Sequence, residues 1–253
     1  MARAGRMVSP GVPNASPGLR PVRYMLREAT LKGLLQDCPP GHFFELGHGA
    51  GFTLEMLARL GFTGKAYDQS PEARDEAAKL VEEAGIGGAV TLLDAMPESE
   101  RFDYVFLLEV VGYFEDPLAD LRRLRKLLKD SGRIFLSFNG LNATYNREFD
   151  GNIKRWSRAQ MRDLVEQAGF DSLVMHNYGF PLTNAMRPVL NAYHSLRPVH
   201  NEVGATGLYH RAPLVTAVSR VFSGSALAPF VTAQRWFRDS ERGNGYVLSA
   251  RAR

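Results

Sequence analysis

Cysteine is almost absent from this sequence, with Cys38 as its single representative. One cysteine excludes an internal disulfide and a cysteine-rich zinc site, and it suits a reducing compartment. The sequence also lacks an apolar run of membrane-spanning length and the apolar core of a signal peptide. The hydrophobic share of 45% is ordinary for a globular protein. We therefore predict a cytoplasmic protein with one good-sized domain and additions.

Acidic residues are missing from residues 1–27, which carry five arginines. The net charge is −8 over residues 28–150 and +7 over residues 151–253. The two positively charged parts, residues 1–27 and 151–253, flank an acidic middle. Such basic flanks attract an anionic substrate, a phospholipid surface or nucleic acid. An ordinary arginine-rich surface explains them equally well.

A glycine-rich stretch follows the first predicted strand, His42–Leu46. Glu45 lies on this strand, and glycines follow at positions 47, 49 and 51, directly before a helical pattern. Strand, glycine turn and helix bring bare backbone close to a nucleotide-like ligand. The strict dinucleotide-binding spacing requires a further glycine at position 52, where this chain has Phe52.

Strands and helices alternate along the rest of the chain, which indicates a parallel sheet covered on both faces. The predicted helices are one from Pro21 to a stop at residues 38–41, Thr53–Leu60, Pro71–Ala84, one from Asp116 through Leu127 and Leu128 to a stop at residues 130–132, and Ser157–Ala168. The other predicted strands are residues 64–68, Ala89–Leu93, Phe102–Leu108, Arg133–Phe138, Asp171–Tyr178 and Tyr246–Ala250.

Polar residues stand at the carboxyl ends of five predicted strands: Glu45, Asp68, Asp94, Glu109 and Asn139. Ligands of parallel sheets bind at these ends. Asp68 is suited to accept hydrogen bonds from the two hydroxyls of a ribose, and Asp94 from an exocyclic amine such as that of adenine. A surface-turn acid is the alternative interpretation for each.

Three motifs together resemble the class I S-adenosylmethionine-dependent methyltransferases. They are Glu45-Leu46-Gly47-His48-Gly49-Ala50-Gly51, Tyr67-Asp68-Gln69-Ser70-Pro71-Glu72-Ala73 and Leu93-Asp94-Ala95, followed by Glu109-Val110 after the fourth strand. The resemblance covers about residues 21–180 and the last strand. It implies a doubly wound α/β fold with a mostly parallel, seven-stranded, Rossmann-like sheet, an antiparallel last strand and a helical insertion before that strand.

The resemblance also implies a cofactor site. Gly47, Gly49 and Gly51 would pass under the methionine part of S-adenosylmethionine, with Glu45 near its amine and His48 near its carboxylate. Asp68 would bind the ribose, Gln69 would flank the adenine, and Asp94 and Ala95 would hold the adenine edge. Glu109 would lie beside the sulfonium.

The chain departs from the family pattern at two positions, one on the cofactor side and one on the substrate side. Many relatives carry cysteine in place of His48, and many carry histidine in place of Tyr113. Tyr113 either positions a substrate or packs, and His194 is a second candidate catalytic residue. Tyr24, Asn139, Arg155 and Trp156 are candidate substrate contacts, although residues 150–157 also fit a solvated basic turn with one anchored aromatic. No metal site is predicted.

The predicted organisation has four parts. Residues 1–21 form a flexible arm, residues 22–180 the cofactor-binding domain, residues 181–242 a helical cap, and residues 243–253 the final strand. The cap, which holds His194, His200 and His210, is a substrate lid, a membrane-surface element or a homodimer interface.

We predict a methyltransferase for a small-molecule or lipid-linked acceptor, with O-methylation favoured over N- or C-methylation. A nicotinamide-dependent oxidoreductase is disfavoured by Phe52. A non-catalytic protein that keeps the fold is disfavoured by the presence of Glu45, Asp68 and Asp94. Nucleic acid is not an expected partner, because the Asn/Asp-Pro-Pro-aromatic motif of amino-methylating nucleic-acid enzymes is absent.

Overall fold

A seven-stranded mixed sheet with helices on both faces forms the body of the molecule. The computed structural model describes residues 20, 22–143, 154–186, 188, 192, 220–221 and 224–253. The strands are β1 (His42–Leu46), β2 (Thr63–Tyr67), β3 (Val90–Leu93), β4 (Phe102–Leu108), β5 (Leu128–Asn139), β6 (Phe170–Tyr178) and β7 (Gly245–Ala252). The helices are α1 (Val22–Leu35), α2 (Phe52–Arg59), α3 (Pro71–Glu83), α4 (Pro117–Arg125), α5 (Arg158–Gln167) and α6 (Ala228–Trp236), with 3₁₀ turns at Val111–Tyr113 and Gly224–Leu227.

The sheet order is β3-β2-β1-β4-β5-β7-β6. Strands β1 to β5 pair in parallel, and β7 is antiparallel to both of its neighbours. Because β6 is consequently parallel to β5, the carboxyl ends of β1 to β6 lie along one edge of the sheet. The predicted fold class is confirmed.

Local sequence signals begin three of the helices. Ser70 accepts a hydrogen bond from the amide of Ala73, and Pro71 occupies the first helical position of α3. Asp116 caps α4 in the same way, ahead of Pro117. At α5 Ser157 and a glutamine three residues later form a reciprocal capping box.

The core lies on both faces of the sheet. Along β4 the side chains alternate, so that Val105 and Leu107 belong to one apolar cluster while Tyr104 and Phe106 belong to the other. Both clusters are buried, which explains the nearly continuous apolar run of this strand.

The predicted boundary between α4 and β5 is wrong. Helix α4 ends at Arg125, and β5 begins at Leu128. The Leu127 carbonyl accepts a hydrogen bond from the Phe102 amide, and Leu128 pairs with Phe102. The two leucines at 127 and 128 therefore bury their side chains through the start of a strand. Their helical spacing misled the prediction because tertiary pairing decided the local structure.

Part of the predicted 181–242 cap is described, namely residues 182–186, which are helical, the 3₁₀ turn Gly224–Leu227 and α6. Helix α6 packs on α1, where Val22, Leu26 and Leu227 form a small apolar cluster. Buried Gln234 accepts a hydrogen bond from the Gly179 amide and donates one to the Leu26 carbonyl. It thereby ties α6 to α1 and to the chain after β6.

Several predictions fall outside the described residues. These are residues 1–19 and 21 of the arm, residues 150–153 of the predicted basic turn, and His194, His200 and His210. Among the helices that are described, none has the length and apolar character to cross a membrane.

Candidate functional site

The polar strand ends meet along one edge of the sheet, as predicted. Glu45 is in β1, Asn139 is the last residue of β5, and Asp68, Asp94 and Glu109 directly follow β2, β3 and β4. In the order of the sheet they form the row Asp94, Asp68, Glu45, Glu109 and Asn139.

The turn between β1 and α2 depends on its three glycines. Gly47, Gly49 and Gly51 have φ angles of +74°, +54° and +84°, in the region that side chains rarely adopt. A Cβ at Gly47 would lie 2.4 Å from Cγ2 of Val110, and one at Gly51 would lie 3.3 Å from Cβ of Ala77. At Gly49 a Cβ would meet nothing within 4 Å. Gly49 therefore exposes bare backbone to open space.

That open space is a recess beside the turn. Its empty volume is about 350 Å³, part of it open to solvent. The lining residues come from α1, β1, the glycine turn, the start of α2 and the end of β4: Tyr24, Arg27, Glu45, Gly47, His48, Gly49, Ala50, Phe52, Thr53 and Leu108.

Glu45 is the buried acid of this recess, with 1% of its surface exposed. Its Oε2 has no hydrogen-bond partner within the described part of the chain. Burial raises the pKa of the Glu45 carboxyl to about 8, against the opposing charge of Arg27 and a hydrogen bond from Thr53. Burial therefore favours the protonated acid in the empty site, and a cation bound beside Glu45 would favour the carboxylate instead.

Arg27 supplies a buried cation to the same recess. Its guanidinium carbon lies 4.4 Å from the ring centroid of Tyr24, and the residue is 6% exposed. The Tyr24 ring in turn meets Phe52 edge-on at a centroid distance of 6.3 Å. Helix α1 therefore brings an arginine and an aromatic wall to the glycine turn.

His48 is buried in the turn itself. Its Nδ1 lies 2.8 Å from the Gly49 carbonyl oxygen, so this nitrogen carries the proton and donates. Burial lowers the pKa of His48, while the charge of Asp68 opposes this shift. The histidine is therefore neutral, and its buried Nε2 is an acceptor with no partner among the described residues.

Asp68 braces the glycine turn. One carboxylate oxygen accepts a hydrogen bond from the Gly49 amide at 3.0 Å, and the other accepts one from the Ser70 amide at 2.9 Å. Each oxygen retains capacity for a further donor. Gln69 beside it is half-buried, whereas Asp94 and Ala95 are exposed beyond the edge strand β3.

Glu109 is the centre of a second polar cluster. Its carboxylate accepts hydrogen bonds from Arg23, Ser137 and Tyr178. Although burial opposes its ionisation, the charges of Arg23 and Arg27 and the hydrogen bonds hold the pKa of Glu109 below its usual value. Glu109 is thus an anion at neutral pH.

The predicted substrate residues are only partly brought together. Tyr24 lines the recess, and Asn139 accepts a hydrogen bond from Arg23. Trp156 packs edge-on against Phe138 with ring centroids 6.4 Å apart, which makes it an anchored aromatic. Tyr113 and Arg155 are half-buried outside the recess lining.

Four contributors were missed by the sequence reasoning: Arg23, Arg27, Ser137 and Tyr178. A signal for Tyr178 was present, since it ends β6 and the strand-end rule applies to every parallel strand. Arg23 and Arg27 lie one helical turn apart on α1, but no pattern in the sequence tells which face of α1 meets the site.

The decisive comparison is with protein families. The model of a methyltransferase domain family matches residues 22–174, more than half of the chain. The protein belongs to this methyltransferase family.

Relatives and solved structures agree with this assignment. A ubiquinone biosynthesis O-methyltransferase of Cereibacter sphaeroides is 35% identical over 148 residues, 50% of this chain and 59% of the relative. The chain thus matches little more than half the length of that relative. A SAM-dependent methyltransferase structure from Thermotoga maritima has a TM-score of 0.56 at 16% identity, and covers 91% of this chain and 89% of its own. The cyclase SpnF gives 0.59 at 16% identity, with coverages of 97% and 87%. At such identities the structures show the shared fold alone.

Proposed function

We propose that the protein is an S-adenosylmethionine-dependent methyltransferase that acts on a small-molecule or lipid-linked acceptor. The presence of both Glu45 and Arg27 in the lining of the glycine recess carries this proposal. The methionine end of the cofactor is a zwitterion, with an ammonium and a carboxylate. A buried acid and a buried arginine beside open backbone complement such an end.

The remaining cofactor contacts follow from the row of strand ends. Asp68 would accept hydrogen bonds from the ribose hydroxyls while it braces the turn, and Gln69 would flank the adenine. Asp94 and Ala95 would hold the adenine edge. His48 Nε2, an acceptor, would face a donor of the ligand rather than its carboxylate.

When bound, S-adenosylmethionine would supply an electrophilic methyl carbon that a hydroxyl, amine or carbon nucleophile can attack, with the neutral thioether S-adenosylhomocysteine as the leaving group. The protein has to hold the acceptor in line and exclude water. Tyr24 and Phe52 would exclude water at the recess. Glu109 would lie beside the sulfonium, and together with Asn139 it would present anionic and polar groups to the acceptor side. Tyr113, Arg155 and Trp156 are proposed at the periphery of that side, and His194 in the cap as a general base.

O-methylation is the favoured reaction. The name of the Cereibacter relative states O-methylation in ubiquinone biosynthesis, and this supports a hydroxylated small molecule as the acceptor here. A lipid-linked acceptor would need an apolar surface next to the polar strand ends. Phe180 and Phe237, whose rings meet 5.3 Å apart beyond β6, support a place for it there.

Binding of the cofactor is the first test. Calorimetry should show that S-adenosylmethionine and S-adenosylhomocysteine bind the wild type. Arg27→Met should weaken both by about 30-fold or more, because it removes one partner of a buried charge interaction. Arg59→Met removes an exposed arginine of α2 and should leave the affinity unchanged.

Two results would contradict the proposal. One is an absence of binding by the wild type, and the other is full affinity in both Arg27→Met and Asp68→Ala. Binding without methylation of any hydroxylated ring, amine or phenol in an acceptor panel would instead favour a non-catalytic role or another reaction on the same fold.

We also propose the four-part organisation, with residues 181–242 as a lid over the acceptor and a cytoplasmic location. Contact between α6 and α1, which lines the recess, supports the lid. Co-sedimentation with anionic vesicles and light scattering distinguish a lid from a membrane-surface element and from a homodimer interface.

A further inference from the structure

Arg23, in the first turn of α1, joins the ends of three strands. Its Nη2 lies 3.2 Å from Oε2 of Glu109 after β4, 2.6 Å from Oδ1 of Asn139 on β5 and 2.7 Å from the hydroxyl of Tyr178 on β6. Its Nε donates a second hydrogen bond to the Tyr178 hydroxyl at 3.1 Å. The planar guanidinium can satisfy acceptors in several directions at once.

A glycine allows Tyr178 to reach this cluster. Asn139 and Tyr178 pair with the same residue of β7, Gly245, from opposite sides. A Cβ at Gly245 would lie 2.4 Å from Cζ of Tyr178. The tyrosine ring therefore crosses β7 over bare backbone, and its hydroxyl donates a hydrogen bond to Oε1 of Glu109.

The backbone of Glu109 is itself held in an uncommon conformation. Its φ angle of 64° lies in the left-handed region, which costs free energy for a residue other than glycine. The Glu109 amide donates to Oγ of Ser137 at 2.9 Å, and that hydroxyl donates to Oε1 of Glu109 at 3.2 Å. Partners on three elements thus fix both the backbone and the carboxylate of this residue.

We propose that Arg23 is a positioning residue of the methyl-transfer site, which holds the Glu109 carboxylate toward the sulfonium end of the bound cofactor. The inference rests on the proposed function, which places Glu109 beside the sulfonium. Arg23 acts through Glu109 and is not itself a catalytic residue.

The electrostatics of the cluster agree with this assignment. Glu109 faces Arg23 and Arg27 from α1, Ser137 from β5, and Tyr178 from β6. Asn139 of β5 accepts a hydrogen bond from Arg23. Glu45 faces Arg27 from β1. Among the interactions that lower the pKa of Glu109, the charge of Arg23 has the largest effect. Loss of Arg23 would therefore raise this pKa and release the carboxylate from its orientation.

The experiment compares two ligands that differ at the reacting atom. S-adenosylmethionine carries a positive sulfonium, and S-adenosylhomocysteine a neutral sulfur. Their dissociation constants are measured by calorimetry between pH 5.5 and pH 8.5 for the wild type, Arg23→Gln, Glu109→Gln and the double variant, and unfolding midpoints are recorded for all four.

We expect Arg23→Gln to reduce the preference for S-adenosylmethionine by about threefold or more at pH 7, within the coupling expected of one hydrogen-bond network. The preference for S-adenosylmethionine should weaken further as the pH falls. This decrease should begin at a higher pH than in the wild type, because the pKa of Glu109 is higher in the variant. In the Glu109→Gln background the same substitution should change nothing more. Arg23→Lys, which keeps the charge, should reduce the preference for S-adenosylmethionine less than Arg23→Gln does.

Two controls separate positioning from stability. Lys32→Gln removes one positive charge from an exposed position of α1 and should leave the preference unchanged. Tyr178→Phe keeps the ring and removes only the hydroxyl, and should change the preference in the same direction as Arg23→Gln, but less.

An unchanged preference in Arg23→Gln, or an equal change in both Glu109 backgrounds, would overturn the inference. If Arg23→Gln does not fold, the inference is tested with Tyr178→Phe and Arg23→Lys, by the same comparison of the two dissociation constants in both Glu109 backgrounds. Failure of the proposed function has different signatures, because either the wild type would bind neither ligand or Arg27→Met and Asp68→Ala would both keep full affinity.

Discussion

At the scale of single residues, the site is a set of charges that folding has placed in unfavourable surroundings. Glu45 is fully buried with one oxygen unpartnered among the described residues, and Arg27 lies buried beside it. Such an arrangement costs stability in the empty protein. Binding a zwitterion would relieve it, so stability and affinity should respond in opposite directions to the same substitution.

Glu45→Gln tests this opposition through pH. The pKa of Glu45 is raised to about 8 in the folded protein, above its unfolded value near 4.5. The protonated form is therefore favoured by folding, and its stabilising contribution is present below pH 4.5 and lost as the pH rises toward 8. Glu45→Gln, which mimics the protonated acid, should have the higher unfolding temperature at pH 8, by about 2–4 °C or more, and the gap should shrink toward pH 5.

The same variant should bind S-adenosylmethionine at least about tenfold more weakly, because an amide cannot neutralise the ammonium. Glu82→Gln on the exposed side of α3 is the control for the loss of one acid. A pH-independent difference in unfolding temperature would contradict the burial of an ionisable Glu45.

At the scale of elements, the turn between β1 and α2 separates structural from functional glycines. Gly47 is confined by Val110 and Gly51 by Ala77, whereas Gly49 faces open space. All three have positive φ angles. The sequence, which shows only alternating glycines, cannot distinguish their roles. Their surroundings differ because Val110 and Ala77 reach the turn from distant parts of the chain.

Gly47→Ala and Gly49→Ala should therefore differ. Each incurs the left-handed backbone cost of about 1–2 kcal/mol, but only Gly47→Ala adds a side-chain clash, worth about 1–3 kcal/mol more. Denaturant unfolding should rank Gly47→Ala as the less stable, and Val110→Ala should restore part of its stability. Gly49→Ala should mainly weaken cofactor binding. Equal losses of stability would show that Val110 does not confine the turn.

The α4–β5 boundary shows the limit of pattern reasoning at this scale. Leucines at positions 124, 127 and 128 continue a helical spacing, yet Leu128 is already part of β5. The Leu127 carbonyl accepts a backbone hydrogen bond from Phe102, and Leu128 pairs with Phe102, so tertiary pairing takes precedence over local periodicity.

At the scale of the whole molecule, α1 connects the parts of the protein. Within the helix, Arg23 reaches the ends of β4, β5 and β6, and Leu26 packs on α6. Arg20, just before the helix, pairs with Glu55 of α2. Tyr24 and Arg27 meanwhile line the recess. Cofactor site, acceptor side and the described part of the cap therefore share one helix, which couples their stability.

Two truncations should reveal this connection. Removal of residues 1–19 takes away most of the predicted arm and none of these contacts, so the unfolding midpoint and the affinity for S-adenosylhomocysteine should stay unchanged. Removal of residues 1–27 also takes Arg20, Arg23, Tyr24 and Arg27, and should abolish measurable binding. Loss of binding in the shorter truncation would contradict the arm assignment, and retained binding in the longer one would contradict the role of α1.

The sequence by itself determined the order of strands and helices, the glycine turn and the row of polar residues at the strand ends. Each depends on local signals: buried apolar runs, capping residues and glycines at positions of positive φ. Only the tertiary structure decided that Arg27 faces Glu45 and that Arg23 and Tyr178 hold Glu109. These contacts join α1 to β1 and β4, and β4 to β6, and no local pattern specifies which faces meet across such distances in the chain.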